Sequence, residues 1–199
     1  MSTSQPKDAI AVVAYSPTWP LLFEDERVRL AVVLGDNAVE IEHIGSTSVP
    51  GLSAKPVIDI LVALERFDPI EECDRRLAPL GYSRPSAQDF DETEHRFYRK
   101  GSPRSHHLHL VEYGTWEHQR HLVFRDYLRA HPDIAQLYAD VKRELALAFK
   151  HNRPAYTNGK TAFIKSIVAR ALEEIADPTL RALADSADRS QEANSDDLH

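Results

Sequence analysis

One stretch, "IEHIGSTSVPGLSAKPVIDILV" (residues 41–62), constrains this chain more than any other. Two apolar runs flank a hydroxyl-rich segment, and a single carboxylate, Asp59, stands inside the second run. A run of that composition reads as a strand buried in a sheet. A carboxylate stripped of its water there costs several kcal/mol unless it is paired, bound to metal or protonated. The segment therefore calls for a strand, a turn and a second strand, with a partner for Asp59 arriving from elsewhere.

Strand parity says where that partner sits. If residues 56–64 are regular, Val57, Asp59 and Leu61 share one face, and Ile58, Ile60, Val62 and Leu64 share the apolar other. On 38–44, Glu40 and Glu42 lie opposite Val39, Ile41 and His43; on 106–112, "HHLHLVE", His107 and His109 lie opposite Leu108 and Leu110. One sheet face is thus expected to gather Glu42, Asp59, His107 and His109. The alternative is that these histidines are hydrogen-bonded surface residues of a half-exposed hairpin.

Around this centre the reading gives a short strand at 11–15 and a helix opening near Pro17 to Pro20 and stopping at Gly35, with Leu22, Val28, Val32 and Val33 as its inner stripe. A second helix takes Asp68 as N-cap, Pro69 as its first residue and Gly81 as its stop. Ile70, Cys73 and Leu77 face inward, which makes the single cysteine a small hydrophobe and excludes an all-thiolate metal site. Residues 83–94 read as a polar, acidic loop, and 95–100 with 106–112 as an antiparallel hairpin. The rest is helical: one helix capped by Thr115, one opened by Pro132 with Ile134, Leu137, Val141, Leu145 and Ala148 inside, and one after Thr157 with Phe163, Ile164, Ile167, Val168, Ala171 and Leu172 inside. A single domain over 1–175 and an acidic, disordered tail over 176–199 are expected.

The net charge of −7 argues against an extended nucleic-acid surface, since such affinity comes from neutralised phosphates. It leaves room for a local basic pocket. No apolar run approaches a bilayer span, and the N-terminus lacks a secretory pattern, so no membrane association and a cytoplasmic location are the expectations.

Three constellations bear chemistry. Gly45, Ser46, Thr47 and Ser48 form a turn where backbone N–H groups and hydroxyls make an anion site, although most such turns are merely turns. His107 and His109, at i and i+2 on a strand, can share a metal, with Glu112 as a third ligand if the strand bends, and Arg104 at the hairpin can meet a phosphate. In "RPAYTNGKTAF" (153–163) the "GKT" is not a phosphate loop, because Pro154 stands where the pattern needs glycine. Tyr156 remains for stacking or hydrogen bonding, and Lys160 for contact with an anion.

"YSPTWPLLFEDE", the 41–62 block, "HHLHLVEYGTWEHQRHLVFRDYLRAHP" and "AYTNGKTAFI", in this order and spacing, resemble the GrpB family over about residues 11–172. The resemblance implies an α+β fold of the nucleotidyltransferase superfamily, polymerase β-like: a mixed sheet flanked by helices, with a helical C-terminal half. It also implies a coenzyme A context, because the family's domain is fused to dephospho-coenzyme A kinase in some proteins. Gly45 and Ser46 match the superfamily's turn and Asp59 matches one aspartate of its Asp-x-Asp pair. Position 61 is Leu and position 57 is Val, so the pair is broken.

Three readings follow from the resemblance. In the first, a nucleoside triphosphate held by Ser46, Lys55 and Lys160 gives up a nucleotidyl or phosphoryl group to a small acceptor, with Mg²⁺ or Mn²⁺ on Asp59, His109 and Glu42 or Glu112. In the second, the pocket binds a nucleotide or phosphorylated small molecule without turnover. In the third, His107 and His109 hold the metal of a hydrolase.

Overall fold

The computed structural model describes residues 10–85 and 95–196, and the side chains of 191–196 lie outside the description. The element order is α1 (Trp19–Leu34), β1 (Ala38–Ile44), β2 (Ile58–Leu64), α2 (Ile70–Leu77), β3 (Tyr82–Ser83), β4 (His95–Lys100), β5 (His106–Glu112), α3 (Trp116–Ala130), α4 (Pro132–Ala148), α5 (Arg153–Ile175) and α6 (Pro178–Asp196). The strands form one sheet in the order β1-β2-β5-β4-β3. The β2–β5 pair is parallel and the other pairs are antiparallel, so the sheet is mixed and the fold is α+β with a helical C-terminal half.

The two faces of the sheet differ as the strand periods dictate. Ile58, Ile60, Val62, Leu64, Leu108 and Leu110 pack against Leu30 and Leu34 of α1 and Cys73 and Leu77 of α2, which makes that side a continuous apolar core. On the other side Ile44, Leu61, Ala63 and Val111 make a small apolar patch beneath Leu122 of α3. Glu42, Asp59, His107 and His109 occupy the same face. A separate core joins α3, α4 and α5 to Val49 and Leu52, so the helical half is anchored to the turn that follows β1.

Several expectations require correction. The segment 11–15 makes one bridge, Val13 to Ala54, rather than a strand. In α1 the inner residues are Trp19, Phe23, Glu26, Leu30 and Leu34, while Leu22, Val28 and Val32 are exposed. The stripe was misphased because its inner face contains a carboxylate: buried Glu26 takes two hydrogen bonds from Lys100, at 2.7 and 2.8 Å. Asp68 does not cap α2; its carboxylate meets Asn37 and Arg76 instead.

The inner face of α4 is likewise shifted, to Ile134, Ala135, Tyr138, Ala139 and Lys142, with Leu137 exposed. Helix α5 starts at Arg153, where Asn152 accepts a capping bond from the Ala155 N–H at 3.1 Å, four residues before the expected Thr157. The segment read as a disordered tail forms α6, docked through Leu180 and Ala184. Most of the acidic loop, residues 86–94, lies outside the described residues.

Candidate functional site

The parallel pairing of β2 with β5 sets Asp59 directly beside His107 and Leu61 beside His109. Both chemistry-bearing residues of β5 therefore share a face with Asp59, near the N-terminal ends of the two strands. The Asp59 carboxylate meets His107 Nδ1 at 2.9 Å, so the buried charge has its partner. Burial alone would raise the Asp59 carboxyl, but the hydrogen bond and charge of His107, aided by His109 and Lys160, outweigh it and hold the group at about 2. Asp59 is an anion at neutral pH.

Gly45 explains how the carboxylate fits. Its backbone lies at φ +67°, and a Cβ there would stand 2.5 Å from Asp59 Oδ2. Glycine at the end of β1 thus makes room for Asp59 itself as well as permitting the left-handed turn. The turn's hydroxyls are mostly used internally. Thr47 Oγ1 meets His43 Nε2 at 2.9 Å and donates to the Val57 carbonyl at 3.5 Å, while Ser48 donates to the Gly45 carbonyl at 2.6 Å.

A cavity of about 930 Å³ opens beside this turn. Ser46, Thr47, Asp59, His107, His109 and the start of α5 through Tyr156 and Lys160 form its walls. Lys55, Arg99, Arg104, Lys142, Arg153 and Lys160 also line it, and Asp59 is the one lining carboxylate among the described residues. Among those residues, this gathering of basic side chains on a chain of net charge −7 makes a locally positive field. The N-terminal turns of α5 face the same space, and their dipole adds to that field.

The lysines are strained by this company. Burial, then the nearby Lys160 charge, lowers Lys55 to about 8; burial with Lys160 and Arg143 lowers Lys142 to about 7. Burial lowers Lys160 as well. Lys55 and Lys160 both stand over the ring of buried Tyr156, at 4.5 and 4.9 Å from its centroid. Lys142 is 2% exposed and donates to the Ser53 carbonyl at 2.5 Å. An anion in the cavity would relieve each of these groups.

The remaining expected site residues lie elsewhere. Glu42 shares the sheet face with Asp59, but Arg125 takes it at 2.5 Å, and it lines a different cavity together with Ser48. Glu112 sits at the far end of β5 and accepts from the Phe67 N–H at 3.3 Å. His109 lies in the wall with its Nδ1 2.9 Å from His95 Nε2, and burial followed by the adjacent His95 pulls its protonation well below the ordinary histidine range. Burial does the same to His121, whose ring centroid is 5.3 Å from that of His109.

Of the expected ligands, Glu42 is held by Arg125, while His109 and His107 each have Nδ1 engaged, by His95 and by Asp59. Among the described residues no group of three His, Cys, Asp or Glu side chains is placed to hold a metal ion. Leu61, the position at which a second aspartate would complete the pair, is 1% exposed within the apolar patch. Among the described residues the ligands therefore do not make a two-cation centre, which needs carboxylates on both sides of the metals.

Sequence reasoning missed Arg99, Lys142 and Arg153. Arg99 pairs with His107 in the β4–β5 register, a placement that parity implied once the hairpin was recognised. Lys142 follows Tyr138 by one helical turn on the buried face of α4, where lysines are rarely found.

A mixed sheet whose polar face carries one aspartate behind a Gly-Ser turn, with a basic cavity between that face and a helical half, defines an α+β protein of nucleotidyltransferase-like architecture. The chain belongs to the GrpB family: the family described as GrpB protein matches residues 9–170. It is similar to the crystal structure of conserved protein GrpB from Enterococcus faecalis, with TM-score 0.76 and 38% identity over 84% of this chain and 100% of that one. It is 37% identical over 161 residues to the UPF0157 protein YqkA of Bacillus subtilis, covering 81% of this chain and 47% of YqkA. It is also 28% identical over 186 residues to a dephospho-CoA kinase of Mycobacterium tuberculosis, covering 81% of this chain and 46% of the kinase. The chain spans about half the length of these two relatives. Among the described residues no helix is long and apolar enough to cross a membrane.

Proposed function

We propose that the cavity beside Asp59 binds the polyphosphate of a nucleoside triphosphate and that the protein transfers a nucleotidyl or phosphoryl group from it to a small acceptor. The observation that carries this reading is the cluster of desolvated Lys55, Lys142 and Lys160 in the cavity at the Gly45-Ser46 turn, with Asp59 the one lining carboxylate among the described residues. A triphosphate is the common metabolite whose charge matches such a surplus, and desolvated lysines gain most from meeting it. Lys55, Lys160 and Lys142 neutralise the phosphates, Tyr156 orients the two lysines above it, and Asp59 fixes the ring of His107. Charge that develops on the leaving phosphate is stabilised by groups already in place.

Mg²⁺ or Mn²⁺ enters this reading as the counter-ion that accompanies the triphosphate, with Asp59 supplying one carboxylate. The coenzyme A context stays a proposal as well. The dephospho-CoA kinase similarity makes coenzyme A precursors the first acceptors to try.

A second reading is favoured by one observation. Leu61 replaces the partner carboxylate, so the domain acts as a nucleotide-binding module without turnover. Calorimetric titration with ATP, AMP and adenosine, followed by an assay for pyrophosphate release with an acceptor panel, separates the two. Binding that strengthens with phosphate number supports both readings, and release of pyrophosphate supports transfer. Equal affinity for adenosine and ATP would contradict both.

A further inference from the structure

His107, in the cavity wall, is held by the Asp59 carboxylate through one ring nitrogen, and its second nitrogen is unspent. Asp59 is an anion and only accepts, so Nδ1 is the donor in their 2.9 Å hydrogen bond. In the neutral ring that leaves the lone pair on Nε2. Nε2 is buried with no hydrogen-bond partner among the described residues. A buried, unpartnered acceptor beside a basic cavity is costly to keep unless it has work to do. A carboxylate that fixes the tautomer and balances ring charge is the device that activates a histidine as a nucleophile.

Resting on the nucleotidyl-transfer reading above, we propose that His107 Nε2 attacks the α-phosphorus of the bound triphosphate and carries the nucleotidyl group as a covalent phosphoramidate. In the first step the Nε2–P bond forms and the bond from the α-phosphorus to the bridging oxygen breaks. Pyrophosphate leaves with that electron pair. The ring's new positive charge is met by Asp59 through the Nδ1 proton.

In the second step the acceptor's hydroxyl oxygen bonds to phosphorus, the N–P pair returns to Nε2, and the hydroxyl proton passes to water. No oxidant or reductant is involved. The attacking nitrogen carries its own lone pair, so the first step needs no general base. The Phe97 ring stands 5.1 Å from that of His107, centroid to centroid, in the same cavity wall.

The test uses the full chain with ATP labelled at the α-phosphate, without acceptor. The expected result is an acid-labile, base-stable label mapping to His107 by peptide mass, together with exchange of labelled pyrophosphate into ATP. Asp59→Asn slows both while ATP still binds, and His107→Gln abolishes both. The exchange measurement needs only the unmodified protein, so it decides even if the His107 variant fails to fold. ATP bound in calorimetry with neither label nor exchange overturns the histidine intermediate and leaves the nucleotide-binding reading intact. No ATP binding overturns both, and a label that survives in a folded His107→Gln protein assigns the nucleophile elsewhere and overturns the proposal.

Discussion

Replacing Asp59 by Asn separates what this carboxylate does for the fold from what it does for the cavity. Among the described residues it is the one carboxylate lining the cavity, and its hydrogen bond holds His107. Its carboxyl lies at about 2 against an ordinary 3.8, and at ~1.4 kcal/mol per unit that difference is worth about 2 kcal/mol of stability at pH 7. The side chain is 28% exposed, so solvent screening trims the figure only modestly. Because the folded value is depressed, the contribution is complete above about pH 4 and fades as pH falls toward 2.

Asp59→Asn is therefore expected to lose about 2 kcal/mol in urea unfolding at pH 7, which is a drop of roughly 4–8 °C in Tm for a chain of this size. The deficit shrinks by about 0.6 kcal/mol at pH 3.5. Measured without divalent metal, affinity for ATP moves the other way, since the variant no longer repels phosphate. A deficit of the same size at both pH values, or an affinity that falls with stability, would refute the electrostatic account and leave Asp59 as a packing residue.

Lys142→Met is expected to weaken ATP binding while raising stability, because the folded state disfavours this charge. With a folded value of about 7 against 10.5, that penalty is full below about pH 7 and is relieved as pH rises toward 10.5, so the gain in urea midpoint should vanish above that range. Gly45→Ala meets both the left-handed φ and the 2.5 Å clash with Asp59, and should cost about 2 kcal/mol or more in thermal unfolding; a neutral result would contradict the turn geometry. Leu30→Ala, fully buried, should cost about 2–5 kcal/mol, whereas Val32→Ala, 78% exposed, should change stability by less than about 0.5 kcal/mol. The reverse order would restore the stripe that the hydrophobic pattern suggests.

The sheet face was legible because strand parity is rigid: Asp59, His107 and His109 alternate with large apolar residues that can only face a core. The parallel pairing of β2 with β5 was not legible, since period-two patterns carry no direction and the crossover between them includes β3 and β4. Helix faces failed wherever a charge is buried. Glu26 in α1 and Lys142 in α4 each sit inside, bonded to Lys100 and to the Ser53 carbonyl, and each shifts the apparent stripe onto exposed Val32 or Leu137. A polar residue counts as inner only when its partner is known, and the partners lie 74 and 89 residues away. Glu42 shows the converse: parity put it on the right face, and only the packing of α3 shows that Arg125 claims it.

The central claim is that the cavity beside Asp59 is built for a polyphosphate. Calorimetric titration of the full chain with ATP and AMP at low and high salt, alongside Lys160→Met, tests it most directly. The account predicts that ATP binds more tightly than AMP, that added salt weakens the binding, and that Lys160→Met reduces the preference for ATP. Equal binding of ATP and AMP, insensitive to salt and to the loss of Lys160, would contradict it.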